Sequence, residues 1–315
     1  MRCLVTGAAG FIGSFLSGRL LALGHEVVGI DSFIPYYPRA LKEANLSAAR
    51  RDVRFRFHAV DLRHDPLDAI VREVDVVFHL AAMAGLTRSW TDFDLYASCN
   101  LTATQRLLEA LRTAGTEPKR FIYASTSSVY GRLAYGDETL PTRPTSPYGV
   151  TKLAAENLCR AFMEERGLPL VVLRYFSVYG PRQRPDMGYH LFINAMLRDE
   201  TVTVFGDGQQ VRGNTFVDDA VEATVAALNA PVGEIYNVGG GETATVWEVL
   251  AKLEKIIGRA PRIQRQPARL GDQRHTAADT SKLSRHLNWQ ARVGLDEGLA
   301  LQVEWQRSLF KPNAE

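Results

Sequence analysis

A tyrosine and a lysine four residues apart, Tyr148 and Lys152, are the pair in this sequence best suited to acid–base chemistry. In a helix, residues four apart lie on one face, so the ammonium would sit beside the phenol. Its charge favours phenolate and lowers the pKa of the tyrosine from its usual value of about 10. Tyr148 is therefore a candidate general base for a substrate hydroxyl. On spacing alone an ordinary surface pair explains the two residues better, so the surrounding sequence has to decide.

A glycine-rich turn near the start of the chain predicts a dinucleotide site. Residues 2–6 form a short, apolar, β-prone run; residues 7–13 read Gly-Ala-Ala-Gly-Phe-Ile-Gly; and residues 14–23 repeat apolar side chains at helical spacing. Strand, glycine turn and helix together hold a pyrophosphate at a helix N-terminus. The glycines are spaced more widely than in the common Gly-x-Gly-x-x-Gly pattern.

An acidic residue, Asp31, ends the second predicted strand at 25–30. A carboxylate at this position accepts hydrogen bonds from the adenosine ribose and would repel a 2′-phosphate, so it favours NAD over NADP. The alternative is a turn residue that caps the next segment. The glycines upstream favour the cofactor site.

The composition is typical of a soluble enzyme. The chain has 315 residues, of which 46% are hydrophobic, enough for one large core or two fused lobes. A net charge of +2 with dispersed basic residues gives no case for nucleic acid. The cysteines and histidines lack metal-ligand spacing, and the cysteines fit a reducing cytoplasm. No signal peptide or membrane span is expected. The cysteines are Cys3, Cys99 and Cys159.

Strand-like and helix-like segments alternate along the chain. The predicted strands include 53–57, 75–80, 120–124, 170–175 and 234–238, and the predicted helices include 100–114, 147–166 and 218–228. This alternation predicts an α/β fold, a Rossmann-type doubly wound parallel sheet with ligands at the carboxyl ends of the strands. We expect residues 1–175, joined by 215–240, to form this NAD-binding domain. Residues 176–214 and 241–315 are expected to form a smaller C-terminal lobe that binds substrate.

Taken together, the motifs resemble those of extended short-chain dehydrogenases/reductases, in the NAD-dependent sugar-nucleotide epimerase/dehydratase family. The family tolerates the wider glycine spacing. The resemblance implies an NAD that stays bound and is not consumed, a UDP-sugar substrate, and a homodimer formed through helices 100–114 and 147–166. The matching segments are 7–13, Asp31, 61–62, 79–82, Asn100, 125–131, 148–152, 174–176 and 236–239.

The resemblance also implies residue roles. Thr126 bonds the reacting sugar hydroxyl, Tyr148 removes its proton while sugar C4 gives a hydride to NAD, and Lys152 holds the nicotinamide ribose and lowers the pKa of the tyrosine. The implied cofactor-binding residues, besides Tyr148 and Lys152, are Gly7, Gly10, Phe11, Ile12, Gly13, Asp31, Ser32, Asp61, Leu62, Leu80, Ala81, Ala82, Asn100 and Tyr175. The implied substrate-binding residues, besides Thr126 and Tyr148, are Arg88, Ser127, Ser128, Ser177, Arg184, Tyr189, Val204, Phe205, Gln210, Arg212, Arg269 and Asp272.

The two residues after Thr126 bear on the choice of reaction. In this family, 4,6-dehydratases typically carry Asp-Glu there, and decarboxylases usually carry Glu at the second position. This chain has Ser127 and Ser128, and neither is an acid or base at neutral pH. The resemblance therefore favours C4 epimerisation, in which the keto sugar rotates and takes the hydride back on its other face.

Two loops bear on the choice of sugar. Residues 85–90 and 179–187 resemble UDP-glucuronate 4-epimerases more than glucose epimerases, and Ser177 replaces the Asn usual in the latter. We therefore expect conversion of UDP-glucuronate to UDP-galacturonate. A UDP-glucose 4-epimerase, another dehydratase, decarboxylase or reductase, and a non-catalytic NAD sensor stay open, and Arg88 fits an exposed loop charge equally well. The candidate set for a C5 carboxylate is Thr126, Ser127, Ser128, Ser177 and Arg184.

Overall fold

The computed structural model describes residues 1–72 and 74–310. Its strands are β1 Arg2–Thr6, β2 Glu26–Ile30, β3 Phe55–His58, β4 Val76–His79, β5 Arg120–Thr126, β6 Leu133–Gly136, β7 Leu170–Tyr175, β8 Val178–Tyr179, β9 Thr201–Phe205, β10 Val211–Gly213, β11 Thr215–Phe216, β12 Ile235–Val238, β13 Thr243–Thr245, β14 Arg262–Gln266 and β15 His275–Ala278. Its helices are α1 Phe11–Ala22, α2 Arg39–Leu46, α3 Asp68–Val71, α4 Phe93–Ala97, α5 Ala103–Thr113, α6 Pro147–Arg166, α7 Gly188–Leu197, α8 Val217–Ala226, α9 Val246–Ile257, α10 Ser281–Leu287 and α11 Leu295–Ser308.

Seven strands form one parallel sheet in the order β12-β7-β5-β4-β1-β2-β3. Side chains alternate across it: Cys3 and Val5 join one apolar cluster with Leu16 of α1, whereas Leu4 joins another with Leu107 of α5. Helices therefore cover both faces, and the carboxyl ends of the strands share one edge. The predicted doubly wound parallel sheet is confirmed.

Local signals explain how closely each element was predicted. The helix α6 begins and ends where expected, because Ser146 caps its N-terminus by accepting a hydrogen bond from the Gly149 N–H (3.1 Å) and Gly167 ends it in the left-handed conformation. The strand predicted from residue 53 begins at Phe55 instead, because Val53 lies in an exposed turn. The helix predicted from residue 100 is preceded by a π-helical turn, Ser98–Thr102, so that α5 begins at Ala103.

A smaller sheet, ordered β13-β10-β15-β6, lies beside the large one. Three of its strands come from the predicted substrate lobe, but β6 comes from within residues 1–175 and pairs with β15. The strand β12 joins the edge of the large sheet next to β7. We keep the division into two lobes as a proposal, with β6 assigned to the smaller one; residues 311–315 of that lobe lie outside the described part. No helix among the described residues is long and apolar enough to cross a membrane.

Candidate active site

A cavity of about 1030 Å³ opens along the carboxyl edge of the large sheet. It reaches from the glycine turn after β1, past the ends of β4 and β5, to the loops of the smaller lobe. Of the predicted cofactor-binding residues, the cavity wall includes Gly7, Gly10, Phe11, Ile12, Gly13, Asp31, Ser32, Asp61, Leu62, Leu80, Ala81, Ala82, Tyr148, Lys152 and Tyr175. Of the predicted substrate-binding residues, it includes Arg88, Thr126, Ser127, Ser128, Ser177, Arg184, Tyr189, Phe205, Gln210, Arg212, Arg269 and Asp272.

The glycine turn has the geometry of a phosphate cradle. Gly7 takes a φ of 73°, and its N–H donates to the Ile30 carbonyl (2.7 Å), which fixes the turn against the end of β2. A Cβ on Gly13 would lie 2.2 Å from the Gly7 carbonyl oxygen, so only glycine allows this contact. Gly10 precedes α1 without a side-chain cap, and no acidic residue lies in the first turn. The first N–H groups of α1 are therefore available to an anion.

The predicted adenosine site lies at the far end of the cavity, beyond β2. Asp31 lines it, and its Oδ1 accepts a hydrogen bond from the Phe33 N–H (2.8 Å) and lies 3.4 Å from Lys42 Nζ. The carboxylate thus caps the turn as well as facing the cavity, which combines the two interpretations of the sequence. The phenol oxygen of Tyr37, also in the wall, is one of the few buried side-chain polar atoms of the described residues without a hydrogen-bond partner. A buried hydroxyl without a hydrogen bond costs free energy, and a ligand that bonds the Tyr37 hydroxyl would remove this cost. Sequence reasoning missed both Lys42 and Tyr37.

The three predicted catalytic residues meet at the middle of the cavity. Thr126 ends β5, and Tyr148 and Lys152 occupy the first two turns of α6, all facing the same space. The Thr126 hydroxyl lies near the Tyr148 phenol. The Tyr148 ring meets the edge of the Tyr96 ring, with 6.2 Å between centroids, and this contact holds the phenol in place.

The electrostatics of Tyr148 differ from the sequence prediction. Burial raises the pKa of Tyr148, although the nearby Thr126 hydroxyl and the charge of Arg184 oppose this. The ammonium of Lys152 lies over the Tyr123 ring, 4.2 Å from its centroid. The prediction of a lowered tyrosine pKa is therefore wrong for the protein alone, because desolvation outweighs the nearby positive charge.

Burial also lowers the pKa of Lys152 from 10.5 to about 7. Below pH 7 the lysine is charged in both the folded and the unfolded chain, so the folded state bears the full cost of burying the ammonium. Between about pH 7 and 10.5 the folded lysine is neutral and that cost fades. We therefore expect Lys152→Met to be more stable than the parent protein below pH 7, by a margin that shrinks toward pH 10. Urea unfolding of both NAD-free proteins across this range checks it; a margin independent of pH would contradict it.

A buried ion pair lies directly behind the predicted catalytic residues. Arg174 of β7 donates to Glu156 of α6 (2.5 Å), and Ser125 donates to the same carboxylate (2.9 Å). Arg174 also donates to the Tyr130 hydroxyl (2.9 Å). Because Ser125 precedes Thr126 and Glu156 follows Lys152 by one helical turn, the network ties the end of β5 to α6. Its charges are buried but paired and hydrogen-bonded, as such groups must be. Sequence reasoning missed Glu156.

The predicted sugar-binding residues adjoin Thr126. Ser127 lies beside Gln273, whose amide donates to the Ser127 carbonyl (3.2 Å) and to the Gly131 carbonyl (2.8 Å). The Ser128 N–H donates to the Thr126 hydroxyl (3.2 Å), which fixes the 3₁₀ turn after β5. These bonds leave a cluster of hydroxyl groups, those of Thr126, Ser127 and Ser128, next to Tyr148.

The predicted basic residues of the substrate site are arranged differently from one another. Arg184 forms two hydrogen bonds with Asp186, each 2.9 Å, and Arg212 donates to Asp272 (2.6 Å). Arg269 stacks over the Phe205 ring, 3.6 Å from its centroid. The last basic residue, Arg88, pairs with Asp92 at the rim. Two uncharged residues of the predicted substrate site also have local partners: Tyr189 donates to the Asn214 side chain, and Gln210 donates to the Phe205 carbonyl.

Two predicted site residues do not line the cavity. Val204 lies in the core because side chains alternate along β9, so its neighbours Thr203 and Phe205 face the cavity instead. Asn100 is buried behind the wall, where its amide donates to the Met83 carbonyl (3.0 Å) and its oxygen accepts from the Met83 N–H (2.7 Å). Asn100 therefore shapes the loop after β4 and does not face the cavity itself.

His79 and the cysteines take structural positions. His79 is buried in β4, where its ring nitrogens contact the hydroxyls of Thr6 (2.8 Å) and Thr104 (2.9 Å). Burial lowers its pKa to about 3, so the ring stays neutral. His79 is therefore a structural residue of β4. The three cysteines are buried and unbridged.

Residues 3–239 match the NAD dependent epimerase/dehydratase family. The chain belongs to this family. The predicted family membership and the predicted NAD dependence are therefore confirmed. The glycine turn, Asp31 and the predicted catalytic residues Thr126, Tyr148 and Lys152 all lie within the matched segment.

Individual relatives agree over the full length. YtcB of Bacillus subtilis (strain 168), named an uncharacterized UDP-glucose epimerase, is 43% identical, with 99% of each chain covered. The UDP-glucuronate 4-epimerase of Thermodesulfobacterium geofontis (strain OPF15) is 35% identical over 96% of this chain and 95% of its own. A crystal structure of the Bacillus cereus UDP-glucuronic acid 4-epimerase, in complex with UDP-glucuronic acid and NAD, matches with a TM-score of 0.96 at 43% identity, covering 98% of this chain and 100% of the other.

Proposed function

We propose that the protein is an NAD-dependent 4-epimerase that interconverts UDP-glucuronate and UDP-galacturonate. The observation that carries the proposal is the cavity wall around Tyr148, where Thr126 is followed by two serines and Arg184 lies close enough for its charge to act on the phenol. A tyrosine base, hydroxyl donors and a cation in one place suit a sugar that bears a carboxylate.

The three predicted catalytic residues, Thr126, Tyr148 and Lys152, have different proposed roles in the reaction. Thr126 holds the C4 hydroxyl, and Tyr148, as phenolate, takes its proton. Bound NAD accepts the C4 hydride and returns it, and its oxidised ring adds the positive charge that the phenol needs. The proposed role of Lys152 is to bond the nicotinamide ribose; a bonding partner for its ammonium offsets the burial that lowers its pKa.

The neighbours of Thr126 favour epimerisation over elimination. Removing a group from the 4-keto sugar requires an acid and a base beside it, and Ser127 and Ser128 provide neither. The aspartates at this end of the cavity, Asp186 and Asp272, are each paired with an arginine. Rotation of the keto sugar and return of the hydride need no further titrating group.

The carboxylate of a uronate makes loss of CO2 a side reaction that the site has to prevent. A 4-keto uronate is a β-keto acid and loses CO2 when the carboxylate bond stands perpendicular to the ketone plane. Hydrogen bonds from the serines and from Arg184 would hold the group away from that alignment. This restraint is the proposed role of Ser127, Ser128, Ser177 and Arg184.

UDP-glucose is the second candidate substrate, because one close relative carries that name. The proposal also includes the predicted homodimer, formed through α5 and α6, and a cytoplasmic location. At the nucleotide end, we propose that Arg269 and Arg212 hold the diphosphate while Phe205 packs against the base.

Product analysis tests the proposed reaction. We expect the protein, incubated with UDP-glucuronate and no added NAD, to form UDP-galacturonate until both sugars coexist, with no net NADH. Parallel incubation with UDP-glucose should give turnover at least about tenfold slower, the loss expected when a charge-assisted contact has no partner. A pentose as the main product, or preferred turnover of UDP-glucose, would refute the proposal.

A further inference from the structure

Three loops converge on one side chain, Tyr36, at the sugar end of the cavity. Tyr36 belongs to the loop after β2, and its hydroxyl donates to Asp186 Oδ2 (3.2 Å) from the loop before α7. A Cβ on Gly85, in the loop after β4, would lie 2.7 Å from this hydroxyl, so the loops pack closely. The same Cβ would lie 3.6 Å from the hydroxyl of Tyr96, the residue that packs against Tyr148, so the Tyr36 and Tyr96 hydroxyls lie close together.

The same cluster fixes Arg184 from two sides. Asp186 takes the Nε and Nη2 edge of the guanidinium through two bonds of 2.9 Å, and the Tyr36 ring lies 5.5 Å from its carbon. The Arg184 and Asp186 side chains are only 20% and 35% exposed. Two of the five N–H donors of a guanidinium are thus used, and three remain for a ligand. A bidentate pair of this kind fixes the plane in which those donors point.

We propose that Asp186 and Tyr36 are positioning residues that decide between hydride return and loss of CO2, because they fix the plane of Arg184 against the substrate carboxylate. The inference rests on the proposed function, since it needs a uronate in the cavity. Asp186 also balances the charge of Arg184 when no carboxylate is bound. Asp186 therefore favours hydride return by orienting the N–H donors of Arg184, and it adds no positive charge to the site.

The competing reaction can be written in full. After oxidation at C4, the C5–C6 bond breaks, CO2 leaves, and the bonding electrons pass to C5 and the ketone as an enolate. C5 then takes one proton, which equals the proton released earlier from the C4 hydroxyl. Each diverted molecule of UDP-glucuronate and NAD gives one UDP-4-keto-pentose, one CO2 and one NADH. If Arg184 is no longer fixed in its plane, a larger fraction of the 4-keto sugar should lose CO2, since the carboxylate then reaches the perpendicular alignment.

The test compares Asp186→Asn and Tyr36→Phe with the parent holoenzyme. Asparagine cannot accept both arginine bonds, and phenylalanine keeps the ring but loses the hydroxyl. We expect KM for UDP-glucuronate to rise about tenfold or more in the first and about threefold in the second, as for one charged and one neutral hydrogen bond. In both, CO2 and NADH should appear in equal amounts, several times above the parent level. Inhibition by UDP alone should change less than about twofold, because the proposed diphosphate ligands are held outside the Tyr36 cluster: Arg212 bonds Asp272 and Arg269 stacks on Phe205.

Matched controls separate positioning from general damage. Asp52→Asn removes the same kind of two-bond pair, with Arg54, on the surface. Tyr135→Phe removes a phenol that is 64% exposed. Both should match the parent enzyme in KM and product. Unchanged KM and product ratio in Asp186→Asn would overturn the positioning role, and so would an equal loss of UDP binding. Failure of the parent protein itself to epimerise UDP-glucuronate would overturn the proposed function, and this inference with it.

Discussion

Replacing Tyr148 with phenylalanine should lower kcat about 10³-fold, within the range expected for loss of a general base. In the proposed mechanism the phenol takes the C4 proton, because it lies beside Thr126 in the cavity wall and its ring is held edge-on by Tyr96. Phenylalanine keeps the ring contact, so the cavity should keep its shape. Steady-state kinetics of UDP-glucuronate epimerisation, with bound NAD quantified in each preparation, gives the measurement.

The control is another buried tyrosine. Tyr236 of β12 is fully buried, and its hydroxyl contacts His286 away from the cavity (3.0 Å). Tyr236→Phe should lose stability by about 1 kcal/mol and keep the parental kcat. An equal loss of kcat in the two variants would show that burial of the phenol, and not its chemistry, supports activity.

Replacing Gly13 with alanine should remove NAD binding and destabilise the fold by several kcal/mol, as overpacking of a tight contact does. The added carbon would stand 2.2 Å from the Gly7 carbonyl oxygen and 2.8 Å from its carbon, and both belong to backbone that cannot move freely. Either α1 shifts away from β1 or the turn opens. In both cases the N–H groups of the turn leave the pyrophosphate position. Denaturant unfolding and NAD content after purification report the two effects separately.

Gly18, in the same helix, is the matched control. A Cβ there meets nothing within 4 Å. Gly18→Ala should therefore gain up to about 1 kcal/mol from the lower flexibility of alanine in the unfolded chain. Equal stability of the two alanine variants would contradict the close-packing argument.

Signals confined to one stretch of chain predicted the fold well. Ser146, Pro147 and Gly167 carry local rules for starting and stopping a helix, and α6 obeys them. The alternation of strands and helices was enough for the parallel sheet. The site was harder to predict wherever a contact crosses the chain. Tyr36 and Asp186 are 150 residues apart, and no pattern in either segment predicts the hydrogen bond between them.

Two errors have a common origin in orientation. Spacing placed Lys152 and Tyr148 on one face of a helix, but it did not reveal that the lysine ammonium would rest over Tyr123 of β5. A matching segment likewise suggested Val204, although alternation along β9 directs its neighbours into the cavity. Motifs locate a stretch of chain, whereas the direction of each side chain depends on packing.

The pairing of β6 with β15 has a consequence for how the protein is made. Leu133 aligns with His275, so 142 positions separate the paired residues, a little under half of the 315-residue chain. During synthesis from the N-terminus, the early strands of the large sheet and α1 can associate first. Among the described residues β15 is the only strand that pairs with β6, so β6 stays unpaired until β15 has left the ribosome. Gln273, which bonds the Ser127 carbonyl, arrives in the same late segment. The cofactor half of the cavity can thus form on the nascent chain well before the sugar half.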